Sequence, residues 1–136
     1  RMSKKPFVSK EKLDEIAAQY ATPFYLYDEA AIRETARRVN KAFAWNQGFK
    51  EYFAVKATPN PAILKILHEE GCGADCSSYT ELQMADAVGF KGDEIMFSSN
   101  ATPAEDFQLA RQLNVGYGQL PLQSRRAFCH CQQYYG

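Results

Sequence analysis

Between positions 52 and 113 the sequence runs three times through one order: a short apolar stretch, a helix-starting signal, then an amphipathic segment. The stretches are Tyr52-Phe53-Ala54-Val55, Gly73-Ala74-Asp75-Cys76 and Ile95-Met96-Phe97-Ser98. The first and third are continuously apolar rather than alternating, the mark of strands covered on both faces. Each stretch is followed by residues that begin helices. Asn60 can cap a helix whose first residue is Pro61, and Ser78-Tyr79-Thr80-Glu81 reads as a capping box. Thr102-Pro103-Ala104-Glu105 combines a capping box with proline at the first helical position. Ile63, Ile66 and Leu67 then share one helical face, as do Leu82 and Ala85. Gly71 and Gly89 stand where a left-handed C-terminal cap is expected. Strands alternating with helices of this length predict right-handed βαβ units and a parallel sheet, hence an α/β fold.

Upstream, Leu13, Ile16, Ala17 and Tyr20 mark a short amphipathic helix that Thr22-Pro23 breaks. Phe24-Tyr25-Leu26-Tyr27 reads as a strand, so residues 1–27 form an N-terminal helix and strand. Asp28 opens a longer helix in which Ile32, Ala36, Val39 and Phe43 share a face. Residues 28–113 then hold the βα plan, and after Asn114 it stops. Where a fourth apolar strand is expected, two glycines and a proline stand among Gly116 to Pro121. Residues 114–136 fit no element of the plan; a divergent end, an altered reading frame and an artefact are the readings left open.

Composition excludes several classes. Sixteen basic residues balance sixteen acidic ones in the 136-residue chain, with no basic stripe for nucleic acid or an anionic membrane surface. No apolar run approaches the roughly 20 residues of a membrane span, and no signal-peptide stretch follows the basic start, so a cytoplasmic location is expected. The four cysteines are too few for a disulfide scaffold in a chain this long. Cys129-His130-Cys131 lacks the second ligand pair that a zinc site needs, so no metal is expected.

The residues able to carry chemistry fall at the ends of the apolar stretches. Lys56 ends the first one. Its stem belongs to a packed sheet and its ammonium to water, and the carboxyl ends of parallel strands are where α/β folds bind ligands. Schiff-base chemistry suits a lysine so placed; the alternative is a side chain that merely snorkels out of a strand end. Asp75, at the end of the second stretch, either pairs with Lys56 or a cofactor cation, or caps the turn that follows. Glu81 is placed by the capping box as reciprocal partner of Ser78. Ser98, Ser99 and Asn100 bring hydroxyl and amide groups to the third strand end but are also common loop residues. His68, beside Glu69 and Glu70, is expected on the solvated face of its helix, without a role. The glycines form no G-x-G-x-x-G or P-loop motif.

Together these residues resemble a known family. Phe53-Ala54-Val55-Lys56-Ala57, followed by Gly73-Ala74-Asp75-Cys76-Ser77-Ser78 and Thr80-Glu81, is similar to the fold-type III decarboxylases that use pyridoxal 5'-phosphate (PLP). That group includes the diaminopimelate, ornithine, arginine and carboxynorspermidine decarboxylases, with a barrel like that of alanine racemase. Thr22 to Asp28 and Ile95 to Asn100 fit the same pattern in the same order, so the resemblance spans residues 20–113. It is nearest to the diaminopimelate decarboxylases, through Thr22 to Asp28 and Lys56 to Pro61.

The resemblance implies the N-terminal portion of a PLP-binding (β/α)8, TIM-like barrel. Lys56 becomes the Schiff-base lysine on the first barrel strand, Asp75 the acidic residue beside lysine and cofactor, and Glu81 a supporting acidic residue. The implied activity is decarboxylation of the amino acid meso-diaminopimelate to L-lysine, by a homodimer. Alternatives are a sibling decarboxylase of ornithine, arginine or carboxynorspermidine, or a non-catalytic PLP-binding homologue. A full barrel takes about 250 residues, so this chain is expected to be part of a longer enzyme and inactive alone. The family's phosphate-binding glycine loop, its acidic partner for the pyridine nitrogen and its C-terminal β-domain are not recognised in it. Neither Cys72 nor Cys76 stands in for the cysteine that this domain brings to the neighbouring subunit.

Overall fold

The computed structural model describes residues 5–99 and 102–115. Five helices, α1 (Lys10–Gln19), α2 (Glu29–Ala42), α3 (Pro61–Glu69), α4 (Tyr79–Val88) and α5 (Ala104–Gln112), accompany three strands. The strands β1 (Tyr52–Ala54), β2 (Gly73–Cys76) and β3 (Ile95–Phe97) form one parallel sheet in the order β1-β2-β3. Sequence order equals spatial order, as consecutive βα units require. The α/β expectation is borne out and all three apolar stretches form strands, but β1 and β3 are not covered on both faces as expected: no residue of β1 is buried, and Met96 of β3 is half-exposed.

The register sorts the side chains onto two faces. Phe53 pairs with Ala74, and Ala74 with Ile95; Ala54 pairs with Asp75, and Asp75 with Met96. The row through Ala74, Cys76, Ile95 and Phe97 lies fully buried in one cluster with Leu64, Leu82, Ala85 and Phe90 from the helical layer. Fully burying one such large side chain contributes about 1.5–3 kcal/mol, so this cluster fixes the sheet to its helices. A smaller cluster of Ala36, Ile63, Leu67 and Cys72 ties α2 to α3, and Phe53 touches both. The opposite sheet face carries Tyr52, Ala54, Gly73, Asp75 and Met96, because side chains alternate along a strand.

The helix starts follow the sequence with one exception. Asn60 accepts from the Ala62 N–H at 2.9 Å with Pro61 in the first turn, and Asp28 accepts from the Ala31 N–H at 3.0 Å. The exception is α5. Pro103 has ψ 158°, outside the helix, and the Thr102 hydroxyl turns back to donate to the Ser99 carbonyl at 3.4 Å. The expected Thr102 capping box is absent.

All three βα units end alike. Gly71 (φ 82°), Gly89 (φ 114°) and Asn114 (φ 56°) take the left-handed conformation. In each case the next backbone N–H reaches five residues back: Cys72 to Leu67 at 3.0 Å, Phe90 to Ala85 at 3.1 Å, Val115 to Ala110 at 3.0 Å. This is the Schellman arrangement. It drives Cys72, Phe90 and Val115 into the core, where all three are buried. Asn114 therefore closes the third unit, whereas the sequence reading took it as the point where the plan stops.

Two further expectations are corrected. Phe24 to Tyr27 is not a strand, because no strand among the described residues lies beside it to complete a hydrogen-bonded ladder; Tyr25 is 89% exposed. His68 is not a solvated bystander. It packs on Phe90 with ring centroids 4.3 Å apart, and its Nε2 lies 3.2 Å from Glu94 Oε2. Burial opposes ionisation of Glu94, yet the Lys91 backbone N–H and His68 outweigh it and hold its carboxyl below the usual range. Nearby, Arg33 bridges Glu69 and Glu70 at 2.7 and 3.1 Å while Arg37 grips both Glu70 oxygens at 2.7 Å, clasping α2 to α3.

Gly73 shows what the sheet's second face demands. The Tyr52 hydroxyl donates to the Asp93 carbonyl at 2.5 Å, which lays the ring across Gly73. A Cβ on residue 73 would meet that ring at 2.5 Å and the Glu94 carbonyl oxygen at 2.7 Å. Gly73→Ala is therefore expected to destabilise by about 1–3 kcal/mol, the cost of overpacking. A thermal melt of the whole enzyme checks it, and an unchanged Tm would contradict the close approach.

Candidate active site

The carboxyl ends of three parallel strands bring together what the sequence spread over more than forty residues. β1 ends at Ala54, one residue before Val55 and earlier than expected, and a 3-10 turn, Val55–Ala57, carries Lys56 out of the sheet. Val55 is fully buried and anchors this turn, while Lys56 is exposed. Lys56 makes no hydrogen bond or ion pair among the described residues. An amine held at its root and free at its tip can condense with a carbonyl compound.

Asp75 sits on the central strand, in register with Ala54, two residues before Lys56. It faces away from the core that buries its neighbours Ala74 and Cys76. Its pairing with Lys56 is not seen. Instead Oδ1 accepts from the Ser98 hydroxyl at 2.5 Å, across to the end of β3. Among the described residues its Oδ2 accepts no hydrogen bond. Asp75 does not cap the turn that follows it; Ser78 does, accepting from the Glu81 N–H at 3.4 Å.

Glu81 departs from the capping-box expectation by one residue. Its carboxylate reaches past Ser78 to Ser77, accepting from the Ser77 N–H at 2.7 Å and from its hydroxyl at 3.1 Å. The β2–α4 turn is thereby locked by one carboxylate satisfying two donors. Cys76 is not a nucleophile: burial, then the nearby Glu81 and Asp75, push its thiol up to about 12. Among the described residues no cluster of histidine, cysteine or carboxylate side chains can hold a metal ion. Asn100, Cys129, His130 and Cys131 lie outside the described residues.

One residue of this edge escaped the sequence reading. Asp106, in the first turn of α5, is only 5% exposed and lies near the Tyr79 backbone at the start of α4, which favours its charged form. It lies between the first turns of two neighbouring helices. Burial, then the neighbouring Glu105, raise its carboxyl above the usual range. A folded state that holds this proton more tightly than the unfolded chain loses stability as pH rises from the unfolded value through the folded one. Asp106→Asn keeps a side-chain oxygen near Tyr79 and removes the buried charge. It is expected to raise Tm at neutral pH, with the gain vanishing in acid. A lower Tm at neutral pH would mean that the charge itself holds the two helices.

A cavity of about 510 Å³ opens elsewhere, between α2 and β1–α3, lined by Leu26, Ile32, Val39, Phe53, Ile63 and Cys72 among others. Lys56, Asp75 and Glu81 do not line it.

Fold and site define a class: a parallel α/β unit that presents an exposed lysine, a carboxylate and hydroxyls at the carboxyl ends of its strands. Residues 29–124 match the family described as pyridoxal-dependent decarboxylase, pyridoxal binding domain, and the chain belongs to that family. It is 52% identical over 100 residues to Protein TabA of Pseudomonas amygdali pv. tabaci, covering 74% of this chain and 24% of that one. To the diaminopimelate decarboxylase of Zymomonas mobilis it is 41% identical over 114 residues, covering 82% and 27%. Its fold matches diaminopimelate decarboxylase from M. jannaschii, solved in co-complex with L-lysine, with TM-score 0.68 and 32% identity over 74% of this chain and 24% of that one. The chain thus spans roughly a quarter of the length of the curated relatives it matches.

The family's cofactor is pyridoxal phosphate. The residues present fit it in donor chemistry: among the described residues, the Lys56 amine has no partner and one Asp75 carboxylate oxygen on the same sheet edge accepts no hydrogen bond.

Proposed function

We propose that this chain carries the cofactor-lysine edge of an enzyme that decarboxylates meso-diaminopimelate to L-lysine. The observation that carries the reading is Lys56, rooted by buried Val55 and without a partner among the described residues at the carboxyl end of β1, with Asp75 on the neighbouring strand. When bound, pyridoxal phosphate supplies an electron sink for the charge left on carbon as carbon dioxide departs. Lys56 Nζ would hold the cofactor through its deprotonated amine. Asp75 contributes negative charge at the end of the neighbouring strand. Glu81 shapes the lip of the site through Ser77.

Support for the substrate comes from diaminopimelate decarboxylases between 32% and 41% identical to this chain. The 52% identity to Protein TabA, whose name carries no substrate, keeps as a second reading a sibling decarboxylase of ornithine, arginine or carboxynorspermidine. We take the whole enzyme to be a homodimer, as the family resemblance implies, and cytoplasmic, as the sequence composition suggests. Among the described residues no helix is long and apolar enough to cross a membrane. Carbon dioxide release from meso-diaminopimelate, ornithine, arginine and carboxynorspermidine tests the reading. The highest kcat/KM is expected for meso-diaminopimelate. Preference for another amino acid would reassign the substrate, and binding of pyridoxal phosphate without release from any would make the protein a binder.

A further inference from the structure

Ser98 stands at a strand end where serine is ordinarily a loop residue, but its backbone belongs to the sheet. The Ser98 N–H donates to the Cys76 carbonyl at 2.8 Å, adding one more rung to the β2–β3 ladder after Phe97. Ser98 is two residues beyond Met96 and therefore shares its face, the face that carries Asp75. With that backbone fixed, the hydroxyl has a short reach, and it spends its single proton on Asp75 Oδ1 at 2.5 Å. Both ends of this bond are anchored: Asp75 in the central strand between two ladders, Ser98 on the last rung of the third. Oxygen–hydrogen donors to carboxylates make short, strong hydrogen bonds, and the half-buried setting shields this one from competing water.

We propose that Ser98 is the positioning residue for Asp75: its hydroxyl claims Oδ1 and sets the carboxylate plane, leaving Oδ2 for a cation at Lys56 or on the cofactor. This rests on the role given to Asp75 above. Without the hydroxyl the carboxylate can turn about its own side-chain bonds, and its charge is no longer held in one place. A residue that only fills space would not matter in this way. Ser98→Thr, which keeps the hydroxyl, should then behave like the parent, and Ser98→Ala should not.

The test uses the whole enzyme loaded with pyridoxal phosphate, with two readouts. One is kcat and KM; the other is the pH midpoint at which the bound cofactor's absorbance changes. Ser98→Ala is expected to lower kcat about tenfold, the size of one charge-assisted hydrogen bond. KM should change little, the pH midpoint should move, and Ser98→Thr should restore both. Ser98→Cys keeps the size with a much weaker donor and should resemble Ser98→Ala, which covers the case in which the alanine variant fails to fold. Parent-like kcat and midpoint in Ser98→Ala or Ser98→Cys, with Asp75→Asn impaired, would overturn the role of Ser98 and leave Asp75 standing. Parent-like behaviour of Asp75→Asn itself would instead remove the reading on which the proposal rests.

Discussion

Lys56→Ala in the whole enzyme is expected to lower kcat by about a thousandfold, within the range that loss of a positioned proton-transfer group gives. It should also abolish covalent capture of pyridoxal phosphate. Stability should not follow. Lys56 is exposed and has no partner among the described residues, so its removal breaks no packing and strands no buried charge. Lys56→Arg separates charge from chemistry: guanidinium keeps the positive charge but stays protonated and cannot take the nucleophile's part. Both variants should melt with the parent and fail alike in turnover. Retained activity in Lys56→Arg would mean that this position supplies charge only.

The second large effect is expected at Asp75. Asp75→Asn should lower kcat by about a hundredfold, comparable to losing one fixed electrostatic contact in an active site. Tm should shift little, because the asparagine side-chain oxygen still accepts from the Ser98 hydroxyl that Asp75 Oδ1 accepts from now. Steady-state kinetics and a thermal melt on the same preparation check both halves. A large fall in Tm with unchanged kcat would make Asp75 a structural residue of the sheet edge.

The fold was legible where local chemistry and burial agree. Asn60, Asp28 and Ser78 cap the helices they were expected to cap, since a side-chain oxygen one residue before a helix has few better partners than its free N–H groups. Thr102 failed because Pro103 took an extended ψ and moved the helix start beyond the hydroxyl's reach. Asn114 was overlooked because glycine dominates left-handed caps, although asparagine tolerates the same conformation. The apparent strand at Phe24 shows the limit of composition: aromatic and β-branched residues suit a strand, but pairing needs a neighbour that sequence does not supply.

At the site, Lys56 and Asp75 were legible because strand ends are ligand positions in parallel folds. Their partners were not. Ser98 holds Asp75 across a strand boundary, twenty-three residues away. Asp106 reaches the start of α4 from the first turn of α5, and His68 meets Glu94 and Phe90 only after Gly89 has turned the chain. Such contacts are set by register and by helix packing, which periodicity does not encode. Only the buried position of Asp106 had a trace in the sequence, one turn ahead of Ala110 on the apolar face of α5.

The central claim is that Lys56 is the lysine to which the cofactor is bound. Borohydride reduction of the PLP-loaded enzyme, followed by peptide mapping, tests it directly. The pyridoxyl label is expected on Lys56; a label on Lys50 or Lys65 would contradict the assignment.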